Sequence, residues 1–75
     1  MMEITKETIG KRLRVLRKKK KWSIRKAAEV GKIQYQHLHR YETGAIEPKL
    51  STLWILLQNW KVSFATFIKT KTTDA

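Results

Sequence analysis

The stretch Ser23-Ile24-Arg25-Lys26-Ala27-Ala28-Glu29-Val30-Gly31-Lys32-Ile33-Gln34-Tyr35-Gln36-His37-Leu38-His39-Arg40-Tyr41-Glu42-Thr43-Gly44 decides how this chain is read. Ser23 is an N-cap residue type, whose hydroxyl can accept a backbone N–H of the following turn. It opens a short helix to about Val30, in which Ala27, Ala28 and Val30 are small enough for close packing. A break follows near Gly31-Lys32. The next helix, from about Gln34 to Thr43, turns Leu38 and Tyr41 inward and ends at Gly44, the residue type best suited to a left-handed C-cap.

Working outward, apolar positions recur at three and four rather than two, so helices are expected throughout and strands nowhere. The first helix runs from about Thr5, an N-cap with Glu7 in the first turn, to about Lys20. Ile9, Leu13 and Leu16 share one of its faces, and its other faces are cationic. Ala45 to Lys49, with Pro48, reads as a loop. The fourth helix, about Leu50 to Trp60, places Leu50, Leu53, Leu56, Leu57 and Trp60 on a buried stripe, to which Trp22 and Leu38 add core. Ser63 caps a last short helix bearing Phe64, Phe67 and Ile68. The expectation is an all-α single domain over residues 1–75, five short helices around one core of about 5–69, with a disordered tail at 70–75.

Composition narrows the function. The 75 residues suffice for one small core, and with no cysteine that core must hold by apolar packing alone in a reducing compartment. No apolar stretch approaches the roughly 20 residues that cross a bilayer. The start, Met-Met-Glu-Ile-Thr-Lys-Glu, lacks the apolar centre of a signal peptide, which points to the cytoplasm. Seventeen Lys and Arg against six Asp and Glu give a net charge of +11, whose self-repulsion favours an anionic partner. Ten of those cations lie between Lys11 and Lys26, a window with no acid. Nucleic acid is the leading candidate. No Gly-rich phosphate loop, cysteine nucleophile or catalytic spacing of Ser, His and Glu is present, so no enzyme, cofactor or small-molecule ligand is expected. A membrane-surface peptide is disfavoured too, because the cations do not oppose one long apolar face.

Two short helices joined by a tight turn, the second bounded by polar residues and a glycine, form the pattern of a helix-turn-helix, whose second helix is free to enter the major groove. Ile9 to Arg17, Ser23, Ala28, the run Leu38-His39-Arg40-Tyr41-Glu42-Thr43-Gly44, Pro48, Leu53, Leu56, Val62, Ser63 and Phe67 carry a further likeness. From Ile9 to Ile68 the chain resembles, without gaps, the phage-repressor-like helix-turn-helix family that includes Cro, lambda repressor and Xre-type regulators. The resemblance implies a transcriptional regulator of repressor type. It also exposes departures. Lys32 stands where the family usually has the turn glycine, Gly31 where it has a core residue of its second helix, Lys61 where a glycine follows the fourth helix, and Ile24 where a Gln meets a phosphate. A left-handed lysine costs on the order of 1 kcal/mol, which leaves room for a turn shifted by one residue.

The resemblance implies that the start of the third helix faces base edges. Tyr35 and Gln36 are then the first readers and Arg40 the next, since Gln pairs with adenine and Arg with guanine. Their plainer readings are a partly packed aromatic, an idle polar residue and a salt bridge within the helix. Gln34 is cast as a phosphate contact or an ordinary cap. His39 reaches toward a base or phosphate, and His37 sits on the surface or at the rim of the core. Two apart on a helix and without a third ligand, the histidines make no metal site. Arg25 and Lys26 occupy the first turn of the second helix, where the macrodipole disfavours cations, a misplacement that makes sense beside a phosphate. By resemblance Thr43 and Lys49 contact phosphates, while Arg17 and Glu42 form an ion pair tying the first helix to the end of the third. Lys18 to Lys21 serve long-range steering. Trp54 and Ile55 extend the buried stripe sideways and, with Phe64, are the candidate interface of a homodimer through the C-terminal half. The same residues would serve the alternative reading, a protein-interaction module such as a toxin-neutralising antitoxin or an adaptor.

Overall fold

The computed structural model describes residues 4–71, which form α1 (Lys6–Lys19), α2 (Ile24–Gly31), α3 (Tyr35–Thr43), α4 (Leu50–Asn59) and α5 (Phe64–Lys69), with no strand among them. Three helices begin at a hydroxyl that takes up an otherwise orphaned N–H. Thr5 and Thr8 cap α1 reciprocally: the Thr8 N–H donates to Thr5 Oγ1 at 3.2 Å and the Thr5 N–H to Thr8 Oγ1 at 2.8 Å. Ser23 accepts the Lys26 N–H at 3.1 Å, and Ser63 the Thr66 N–H at 3.0 Å.

The first four helices end by one device. A left-handed residue, Lys21, Lys32, Gly44 or Lys61, is followed by an apolar one whose N–H reaches back five positions. Trp22 donates to the Arg17 carbonyl, Ile33 to Ala28, Ala45 to Arg40 and Val62 to Leu57, at 3.3, 3.0, 2.9 and 2.9 Å. This is the Schellman arrangement, which satisfies terminal carbonyls and folds the apolar residue back onto the protein. A lysine at φ near +60° is strained by about 1 kcal/mol, but a cation at a helix C-terminus gains about 0.3–1 kcal/mol from the macrodipole. The two nearly cancel. The turn at Gly31-Lys32 is therefore not displaced: Lys32 itself adopts φ 60°, ψ 42°.

α1 packs on α3 and α5, α2 on α3 and α4, and α4 on α5, around Leu13, Leu38, Leu56, Leu57, Trp60 and Phe67. Two sequence expectations are corrected. Leu50 is not in the buried stripe of α4; it is 70% exposed, because the stripe proper follows Leu53, Leu56, Leu57 and Trp60. Arg12 is not one of the surface cations: it is 2% exposed, with its guanidinium carbon 5.9 Å from the centre of the Phe67 ring. At the C-terminal end Thr70 is buried and donates its hydroxyl to the Thr66 carbonyl at 2.8 Å, while 72–75 of the expected tail lie outside the described residues.

Candidate nucleic-acid interface

α3 touches the body through Leu38 and Tyr41, which are buried, so its opposite face is free. Gln36, Arg40 and Thr43 stand at i, i+4 and i+7 and form one exposed stripe on that face, with His39 beside it.

The C-terminal half of α3 is clamped. Arg17 Nε donates to Glu42 Oε2 at 2.7 Å and Nη2 donates to Oε1 at 3.0 Å, a bidentate pair, while Nη1 donates to the Trp22 carbonyl at 2.9 Å. One guanidinium thus joins α1, the loop after it and the end of α3. The pair is largely withdrawn from water, with side-chain exposures of 13% and 5%. Beside it, Gly10 brings the backbone of α1 directly against the Tyr41 and Glu42 carbonyls, where a Cβ would overlap the Tyr41 oxygen. Gly44, at φ 77°, closes the helix against the first turn of α1 near Glu7.

The turn between α2 and α3 is held from below by α4. Gly31 leaves space filled by Leu56 and by the Trp60 indole, either of which a side chain at 31 would meet. Trp60 Nε1 donates to the Ala27 carbonyl at 2.8 Å, and Asn59 Nδ2 to the Gly31 carbonyl at 3.0 Å. Both carbonyls belong to α2, so α2 is tied to the end of α4 by Asn59 and by its C-cap Trp60.

Two helices start without a side-chain cap, α3 at Gln34 and α4 at Lys49. Both N-cap residues are exposed, and the positive ends of these dipoles face outward.

A family model described as Helix-turn-helix matches residues 13–67, a span that includes α2, the left-handed turn and α3. The chain belongs to the Xre/Cro/lambda-repressor-like helix-turn-helix family. It is accordingly a DNA-binding helix-turn-helix regulator, built on the all-α fold of that family. Comparison with curated proteins and with solved structures returns no match to either. Among the described residues no helix is long and apolar enough to cross a membrane.

The residues expected to meet DNA are all exposed and differ in what they already hold. Gln34, Gln36, His39, Arg40 and Thr43 are exposed on α3 or at its N-cap, and Thr43 spends its hydroxyl on the Arg40 carbonyl at 3.2 Å. Tyr35, at the first position of α3, is 37% exposed and carries Arg25 stacked over its ring at 4.1 Å. Lys26 pairs loosely with Glu29 at 3.7 Å on the exposed side of α2, and Lys49 stands apart at the start of α4. His37 and His39 are both exposed; no group of three His, Cys, Asp or Glu among the described residues is arranged to hold a metal ion. Ile24, where the resemblance implies a phosphate-contacting Gln, is half-buried and packs on the core.

Trp54 and Ile55 lie away from α3, 50% and 55% exposed, and line a groove with Leu50, Ser51 and Phe64. Rings connect this groove to the core: Trp54 to Phe64 at 6.0 Å and Phe64 to Phe67 at 5.9 Å between centroids. Sequence reasoning missed Asn59 and the polar role of Trp60, because a hydrogen bond across 28 or 33 residues leaves no local signal. It also passed over Gly10, a glycine inside a helix, which ordinarily marks a close approach of backbones.

Proposed function

We propose that this regulator recognises a specific double-stranded DNA sequence as a homodimer and represses transcription from it. The observation that carries the reading is the outward stripe of Gln36, Arg40 and Thr43 on a helix anchored only along its opposite face. Gln36, His39 and Arg40 then meet base edges, Gln36 suited to adenine and Arg40 to guanine, with Tyr35 beside them at the start of α3. Gln34, Lys26 and Lys49 hold phosphates, as does Thr43 where its hydroxyl turns from the Arg40 carbonyl, with the uncapped starts of α3 and α4 adding backbone N–H groups. Lys18 to Lys21 raise the encounter rate through the long-range field.

The dimer reading rests on the groove at Leu50, Ser51, Trp54, Ile55 and Phe64, which contains no charged side chain in a chain of net charge +11. Two like-charged copies repel over most of their surface and can approach most closely where both are neutral and apolar. On a two-fold symmetric operator the two copies of α3 would have to stand about 34 Å apart, one turn of DNA. Repression follows from occupancy, since a dimer covering both half-sites excludes other proteins from them.

Selection from a random duplex pool, followed by salt titration and sedimentation, tests the reading. The expected product is one motif with two-fold symmetry, bound by two copies with a log–log salt slope of about −0.9 per phosphate neutralised. Recovery of unrelated sequences would end the claim of specificity, and a monomer at high concentration with and without DNA would end the dimer. The same groove is the surface a protein partner would use; a complex with another protein that survives nuclease and high salt would favour the antitoxin or adaptor reading.

A further inference from the structure

The placement of Arg25 argues for a role different from a phosphate contact. Its guanidinium carbon lies 4.1 Å from the centroid of the Tyr35 ring, well inside the roughly 6 Å within which a cation and a ring attract. A guanidinium in such a stack presents its face to the ring and keeps its N–H donors at its edge. None of those donors is used: among the described residues Arg25 has no hydrogen bond or ion pair, and the ring is its one partner. Both side chains are exposed.

The stack also determines where the cation goes. Tyr35 is the first residue of α3, so the guanidinium is anchored to the leading end of the recognition helix although its backbone belongs to α2. It stands near the positive ends of two helices, which the macrodipoles oppose. A phosphate contact needs only charge there, and Lys26 supplies that at the adjacent position. What Arg25 adds is a planar, pre-oriented fork, the geometry that matches O6 and N7 of guanine and that lysine lacks.

We propose that Arg25, held on the Tyr35 ring, reads a guanine beside the bases met by α3, and that Tyr35 acts on this contact as its positioning residue. This rests on the sequence-specific reading above. The test uses the full chain, the duplex it selects, a panel with each base pair of that duplex replaced in turn, and a random duplex. Arg25→Lys keeps the charge and is expected to weaken the selected duplex about ten-fold, to erase discrimination at one G·C pair per half-site, and to leave the random duplex within about two-fold. Tyr35→Phe keeps the ring and should discriminate at that pair like the parent. Tyr35→Ala should lose discrimination there although Arg25 is intact. Thermal unfolding of Arg25→Lys and Tyr35→Phe should match the parent, while Tyr35→Ala, which gives up a ring only 37% exposed, should unfold somewhat lower and is compared with the parent at a temperature where both are folded.

If Arg25→Lys discriminates at every pair like the parent, or if Arg25→Ala weakens selected and random duplexes equally and lowers the salt slope by about 0.9, Arg25 is a phosphate contact and the assignment is overturned. If the parent selects no sequence, the specificity reading fails first and takes the inference with it. A parent that selects a site while Tyr35→Ala keeps full discrimination at the Arg25 pair removes the positioning role alone.

Discussion

At its C-terminal end α3 is clamped by Gly10, the Arg17–Glu42 pair and Gly44, whereas at its N-terminal end Gln34, Tyr35 and Gln36 are exposed and no side chain caps the helix. The same nine-residue helix thus has one end solved by the protein and one left for a ligand. Orientation and recognition are separated along the helix axis. Residues at the locked end should govern stability and affect all DNA sequences alike, while residues at the open end should govern choice of sequence and leave folding untouched.

Four substitutions test that separation, in falling order of effect. Gly10→Ala puts a Cβ into the Tyr41 and Glu42 carbonyls, which cannot move without shifting α3; a loss of about 3 kcal/mol is expected in denaturant unfolding. A loss under about 0.5 kcal/mol would mean that α1 and α3 are not locked together. Glu42→Gln strands the Arg17 guanidinium without its carboxylate, and about 2 kcal/mol should be lost by the same measurement. Its effect on DNA should be uniform, lowering affinity for selected and random duplexes by the same factor.

Gln36→Ala probes the open end. Affinity for the selected duplex should fall by about 1–3 kcal/mol in a titration, with random DNA and unfolding midpoint nearly unchanged. Equal losses on both duplexes would remove Gln36 from the readers. The smallest effect belongs to the turn between the two helices. Lys32→Gly relieves the left-handed strain but gives up unfolded-chain restriction and a cation at the end of α2, so a gain of no more than about 0.5 kcal/mol is expected. A large gain would show that lysine is kept there against stability, for a contact with DNA.

Much of this fold was legible because its signals are local. Thr5, Ser23 and Ser63 were readable as caps, since a hydroxyl before a helical run needs only the next turn to act on. The ends were legible less directly. Gly44 is an ordinary stop, but Lys21, Lys32 and Lys61 are not, and the clue to their left-handed turns is the apolar residue that follows each, Trp22, Ile33 and Val62. Leu50 was misplaced because periodicity locates a stripe only to within one position at a helix end. Arg12 was misplaced because residue type predicts exposure, and only packing against Phe67 reveals a cation drawn inside.

The order and extent of the helices, the all-α class, the basic character and the helix-turn-helix pattern were determined by the sequence alone, since caps, periodicity and charge act over a few residues or over the whole chain. The tertiary structure decided what holds the motif in place: the Trp60 and Asn59 bonds into α2, the Gly10 approach and the fork of Arg17 on Glu42. It also decided that Arg25 rides on Tyr35. These are meetings of residues distant along the chain, and their energies depend on distances that only the packed core sets.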